Sequence, residues 1–271
     1  MLLKRTITAV LLISLATFLA FYGDGFLFPL LILAFHSGIY MEWLTLLNAS
    51  RAQKISGIMA LIFIFVVVIN VNVSQHLLLA LLFSSFLFWF LVSPAFVLNK
   101  YRASKAMSVI VALIMCLASM IALYFAFLEG VMFLLSTLAV VWIIDTGAYI
   151  TGKIFGHRKL LPTVSPNKTW EGVYGALFMY FIFSLFMVKI DGTWQEFVLY
   201  YFGTWWLVLL SIVLFFVAIF ADLFESKLKR TSGKKDSGNI LPGHGGLFDR
   251  FDATLAVGPS IVFFNIIGTR L

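Results

Sequence analysis

Long apolar runs decide the class of this chain before any single residue does. Nine stretches of mainly apolar sequence fall at 6–22, 26–47, 55–73, 77–98, 107–128, 131–151, 171–189, 204–224 and 253–270. Each is close to the roughly 20 residues that a helix needs to cross a bilayer. Hydrophobic residues make up 62% of the chain and charged residues 11%, against about 25% charged in soluble domains. The mean hydropathy is +1.04. A soluble fold has no interior large enough for that much apolar surface. The expected fold is therefore all-α: a polytopic transmembrane helix bundle of about nine spans. It forms one integral membrane domain over 1–271, with N-terminal spans over 1–128 and a motif-bearing part over 129–271. The first stretch follows Lys4 and Arg5 and has the look of a signal peptide. We expect it to be a retained helix, because eight further apolar segments follow and no clear small-residue cleavage site does. Gly258 and Pro259 interrupt the last stretch, which makes it the weakest of the nine.

Charge sets the expected direction. With the N-terminus in the cytoplasm and the C-terminus outside, every Lys and Arg except Lys189 and Arg270 falls on the cytoplasmic side. Basic residues collect on that side of membrane proteins, so the net charge of +7 encodes topology and not nucleic-acid binding. The segment 190–203, with Trp194, Tyr200 and Tyr201, reads as an outer interfacial stretch. The single cysteine, Cys116, lies in an apolar run, cannot form an intramolecular disulfide and leaves the redox compartment open. His36 and His76 lie on or beside apolar runs and read as structural.

Two cytoplasmic connections, 152–170 and 225–252, hold most of the remaining polar sequence. Long polar connections are where binding and catalysis concentrate. Asp145 and Asp222 lie at the ends of the spans that lead into them, and charge at membrane depth is expensive and usually functional. Asp222 and Glu225 are three apart, and Ser226 is four from Asp222. Helical spacing puts all three on one face. A basic run follows, with Lys227, Lys229, Arg230, Lys234, Lys235 and then Asp236. After it comes Pro242-Gly243-His244-Gly245-Gly246-Leu247-Phe248-Asp249-Arg250-Phe251-Asp252. Glycines let backbone approach a ligand closely and present N–H groups to anionic oxygens. Carboxylates hold hard cations such as Mg²⁺, and Lys and Arg neutralise phosphates. The combination suits phosphoryl or nucleotidyl transfer at a membrane surface. His157, Arg158 and Lys159 read as a topological basic patch. Ser165 and Ser226 are candidate helix caps as well as ligand contacts. A transporter is a weaker reading, because transport carboxylates sit near mid-bilayer in broken helices and these cluster at one end.

The residues at 226–252 resemble the signature of phosphatidate cytidylyltransferases (CDP-diacylglycerol synthases). The match runs through Ser226-Lys227-Leu228-Lys229-Arg230, Lys235-Asp236, Pro242-Gly243-His244-Gly245-Gly246, Asp249-Arg250 and Asp252. Ser165-Pro166-Asn167-Lys168-Thr169-Trp170-Glu171-Gly172 is similar to a second block of that family, with Asn167 where a lysine is usual. Asp145-Thr146 and Ala148-Tyr149 are similar to a third. The resemblance covers about 140–255 with specific motifs and the earlier spans in hydropathy alone. It implies reaction of CTP with phosphatidate to give CDP-diacylglycerol and pyrophosphate, with Mg²⁺ and room for a second cation. It also implies a homodimer in a bacterial inner membrane, with the site facing the cytoplasm. On that footing Asp222 and Asp249, then Asp145 and Asp252, are the expected metal ligands. Lys168, Asp222, Asp249, Asp236 and Arg250 are the expected catalytic residues. Ser165, Ser226, Lys229, Arg230, Lys235, His244, Gly245 and Gly246 are expected to bind substrate. A CTP-dependent lipid kinase on the same scaffold is the remaining enzymatic alternative.

Overall fold

A computed structural model describes residues 26–71, 73–98, 105–240 and 245–269. The expected span at 6–22 and residue His244 lie outside them. The described chain runs α1 (Leu27–Leu46), α2 (Arg51–Asn70), α3 (Gln75–Leu98), α4 (Lys105–Glu129) and α5 (Val131–Phe155). There follow β1 (Lys159–Leu161), β2 (Ser165–Thr169), α6 (Trp170–Met187), α7 (Trp194–Phe202) and α8 (Thr204–Thr231). Last come α9 (Phe248–Phe251) and α10 (Thr254–Gly268). Among the described residues, eight segments are long and apolar enough to cross a membrane, the last formed by α9 and α10 together. They correspond one for one to the eight expected spans that lie within the described residues.

The helix ends follow local chemistry. Ser50 caps α2 in a reciprocal capping box with Gln53, satisfying backbone donors that a helix start leaves open. Thr169 caps α6 through Gly172 N, and Thr193 caps α7 through Glu196 N. Within α3, residues Phe88–Val92 form a single π-helical turn, with Ser93 N–H bonding to Phe88 O. Pro94, which follows at once, has no N–H to offer the ordinary ladder, so the register slips there. The slip buries Trp89 completely against Trp43 and Phe224.

Helix α10 is the axis of the bundle. Nearly all its residues are buried, and it packs against α3, α4, α5, α7 and α8. Gly258 and Pro259 do not break it: its helix runs unbroken through Pro259, and Ser260 Oγ donates to Ala256 O at 2.8 Å. The tightest pairing is α5 with α6. There Gly147, Gly172 and Gly175 remove side chains at the seam. A Cβ on Gly147 would lie 2.9 Å from Ala176 Cα, and one on Gly175 would overlap Thr151. Close approach through small residues is how helices associate where lipid removes the hydrophobic drive.

Two features were not expected. The connection at 152–170 contains an antiparallel hairpin, β1 with β2. The segment at 190–203 holds a short helix, α7. Tyr200, Tyr201, Trp205 and Trp206 are exposed around its end, as aromatic residues are at membrane interfaces. His36 is buried and bridges α1 to α4, with Nδ1 to Ile32 O and Nε2 to Ser119 Oγ. Cys116 is fully buried.

Candidate active site

Four elements bring charge to one end of the bundle. Helices α5 and α8 run toward it and carry Asp145 and Asp222 in their later turns. Strand β2 leads into α6 there and carries Lys168. The α9–α10 segment starts there with Asp249, Arg250 and Asp252. Between them lies a cavity of about 400 Å³. Its charged lining holds five carboxylates (Asp145, Asp222, Glu225, Asp249 and Asp252) and three cations (Lys168, Lys229 and Arg250). The rest of its wall is apolar, from Ile144, Ala148, Val173, Ala176, Ala218 and Ile219.

The hairpin is held rigidly. Glu171, in the first turn of α6, accepts from His157 N and Arg158 N, both at 3.1 Å through Oε2, and from Arg158 Nε at 3.3 Å through Oε1. Arg158 O accepts from Trp170 N, and Arg230 Nε donates to Val164 O at the hairpin turn. Arg230 therefore braces the hairpin and does not line the cavity. Thus supported, β2 delivers Lys168 Nζ to Asp222 Oδ2 as an ion pair. Asp145, exposed to the cavity on α5, interacts electrostatically with Asp222, Lys168 and Arg250.

The second cluster is tighter. Lys229 Nζ lies 2.6 Å from both Glu225 Oε2 and Asp249 Oδ1. Asp249 Oδ2 accepts three hydrogen bonds: from Ser237 N at 3.0 Å, Ser237 Oγ at 3.0 Å and Gly246 N at 2.9 Å. Gly245 takes a φ of +84°, a region nearly reserved for glycine, and this turns the chain over Asp249. Asp252 is buried and accepts from Ala253 N at 2.8 Å.

The structure thus gathers Asp145, Ser165, Lys168, Asp222, Lys229, Asp249, Arg250 and Asp252 around one cavity. Ser226 stands behind it, donating to Asp222 Oδ1 at 3.5 Å. Lys235 and Asp236 are exposed on the loop outside it, and Gly245 and Gly246 shape Asp249. Neither candidate cap is one: Ser165 opens β2, the α6 cap is Thr169, and Ser226 is inside α8. Lys227 is likewise occupied elsewhere, closing the end of α3 through Phe96 O and Val97 O.

Sequence reasoning passed over Glu42, and it placed Glu225 on one face with Asp222 without giving it a role. Glu225 Oε1 is buried and has no hydrogen-bond partner among the described residues. Glu42, on α1, accepts from Ser237 Oγ at 3.0 Å and Phe248 N at 2.8 Å. Its neighbour Trp43 stacks on Phe248 with ring centroids 4.9 Å apart. The signal for Glu42 was available: it is a carboxylate within an apolar span.

Among the described residues no three His, Cys, Asp or Glu side chains stand ready-made as a metal cage. The donor set nevertheless fits a hard cation. All five carboxylates offer oxygen, and Mg²⁺ is commonly held by one or two carboxylates together with substrate phosphates. Two like charges 4 Å apart repel by about 4 kcal/mol at an effective dielectric of 20. Three side-chain cations already face five carboxylates, so an incoming polyphosphate needs additional positive charge.

The fold and the site together describe a polytopic membrane protein built to handle phosphates at the bilayer surface. The chain belongs to the cytidylyltransferase family, whose model matches residues 3–267. Proteins named phosphatidate cytidylyltransferase are similar to it along almost their whole length. That of Staphylococcus epidermidis is 33% identical over 262 residues, covering 94% of this chain and 95% of the relative. That of Staphylococcus saprophyticus is 34% identical over 257 residues with the same coverage. That of Staphylococcus aureus is 32% identical over 262 residues, again with the same coverage.

Proposed function

We propose that this enzyme transfers the cytidylyl group of CTP to phosphatidate, giving CDP-diacylglycerol and pyrophosphate. One observation carries the reading: a single cavity joins a carboxylate-and-lysine rim to an apolar wall that continues into the spans. A phosphate on a lipid is the substrate that needs both. The relatives carry that activity in their names.

In the reaction a phosphatidate oxygen forms a bond to the α-phosphorus of CTP, and the bond from that phosphorus to the β-phosphate oxygen breaks. A phosphomonoester has its second pKa near about 6, so the nucleophile is already anionic and a strong base is unnecessary. The task of the protein is to position two polyanions and offset their repulsion. Lys168 is placed to take a phosphate oxygen in exchange for Asp222, and Lys229 and Arg250 supply the remaining fixed charge. The apolar wall receives the acyl chains, and Asn167 and Ser165 stand at the mouth. Asp222 and Asp145, with Asp249 and Asp252 beyond them, are the residues that would hold Mg²⁺. The ion supplies charge neutralisation at the phosphates when bound.

The site faces the cytoplasm of a bacterial inner membrane in this reading. In support, every described Lys and Arg except Lys189 belongs to the end of the bundle that holds the cavity. The protein acts as a homodimer by the same family resemblance, each copy supplying its own cavity lining.

The test is product analysis. Purified protein with phosphatidate, Mg²⁺ and CTP labelled at the α-phosphate should place the label in the lipid, and a γ label should leave in pyrophosphate. A γ label in the lipid would identify a lipid kinase instead.

A further inference from the structure

Glu42 is one of two carboxylates in the N-terminal 128 residues, with Asp24. It sits in the last turns of α1 with 4% exposure, far in sequence from every motif at the site. Ser237, Gly238, Gly246 and Phe248, all beyond α8, lie against it. Its Oε2 accepts from Ser237 Oγ and from Phe248 N, so one oxygen ties these two residues together. A Cβ on Gly238 or on Gly246 would overlap the Glu42 carboxylate, so both glycines leave room for it. Ser237 Oγ stands 3.0 Å from Glu42 Oε2 and 3.0 Å from Asp249 Oδ2. A hydroxyl has one hydrogen to offer these two acceptors, and the same Oγ accepts from Asp249 N at 3.3 Å. Asp249 then holds Lys229 at 2.6 Å. A continuous polar chain therefore runs from α1 through Ser237 and Asp249 to Lys229 at the cavity.

We infer that Glu42 is a positioning residue for nucleotide phosphate binding, setting Asp249 and Lys229 through Ser237. This rests on the cytidylyl-transfer reading. The apolar wall for the lipid comes from α5, α6 and α8, which Glu42 does not touch, so its effect should fall on CTP and spare phosphatidate. In Glu42→Gln and in Ser237→Ala, KM for CTP should rise about tenfold, with KM for phosphatidate within twofold of the parent. The double variant should be no worse than either single one, as expected of residues acting through one contact. Hydrogen exchange should quicken at the amides of Ser237, Gly246 and Phe248 in Glu42→Gln, and stay unchanged in the hairpin 159–169. Additive losses, equal losses for both substrates, or unchanged exchange at those three amides would each overturn the assignment. Exchange needs no turnover. If the parent protein makes no CDP-lipid, the functional reading fails, and the exchange result still decides the role of Glu42.

Discussion

Lys229 shows how closely this site is balanced at the level of single residues. Its ammonium group stands between Glu225, 1% exposed, and Asp249, 11% exposed. Removing one partner from a buried charge network leaves the others uncompensated, at a cost of about 3–5 kcal/mol. Lys229→Met should therefore lower the unfolding temperature in detergent as well as abolish turnover. Asp222→Asn is the contrasting case. Asp222 is partly exposed and pairs with Lys168, so the fold should survive while activity falls by about 10²–10³-fold and the Mg²⁺ requirement changes. A variant with unchanged rate and unchanged Mg²⁺ dependence would remove Asp222 from the cation site. Both residues were legible in the sequence, because carboxylates and lysines cluster where an apolar span ends. Glu42 could be noticed as a carboxylate within an apolar span, but its role could not be read, because its partners Ser237 and Phe248 lie 195 and 206 residues away, and no spacing rule reaches across such a gap.

At the scale of elements, the α5–α6 pair and its hairpin set the distance between Asp145 and Lys168. Gly147→Ala would put a Cβ 2.9 Å from the backbone of α6, and helix backbones yield only by moving apart. Overpacking of that kind costs about 1–3 kcal/mol. A matching fall in kcat/KM is expected, with partial recovery when Met179, the next neighbour of that site, is shortened to Ala. Glu171→Gln should loosen the hairpin, although Glu171 does not itself line the cavity, and proteolysis between Leu161 and Ser165 would detect this as faster cleavage. The spans themselves were readable from hydropathy, and most edges moved by a few residues, but α8 runs on past 224 to Thr231, so the start of the expected loop at 225–252 is helix. The hairpin was hidden because β1 and β2 are only 3 and 5 residues long and the second is polar. Their fold is fixed by Glu171 and Arg230 from other elements, not by any alternation of their own. The π-helical turn was hidden for a similar reason: Pro94 announces a break in the ladder but not that Trp89 would be buried by it.

For the whole molecule, the prediction concerns sides of the membrane. Cys116 is fully buried, so a membrane-impermeant thiol reagent should find little background. Lys235→Cys should be labelled in inside-out vesicles and protected in right-side-out ones, and Lys189→Cys should show the reverse. Identical labelling of both would contradict the orientation. Apolar patterning could establish how many spans to expect. It could not establish that α10 stands at the centre of the bundle, since a helix that faces lipid and one that faces other helices are equally hydrophobic.

The pairing of Lys168 with Asp222 has one more consequence. While those two charges satisfy each other, neither a phosphate nor a cation meets a free partner there. Whichever arrives first must separate the pair, and the second then finds its counterpart already released. Binding of nucleotide and of divalent ion should therefore be mutually reinforcing, each sharpening the affinity for the other by the same factor. Titrating either ligand in the presence and absence of the other should show that reciprocity, and Lys168→Ala should abolish it.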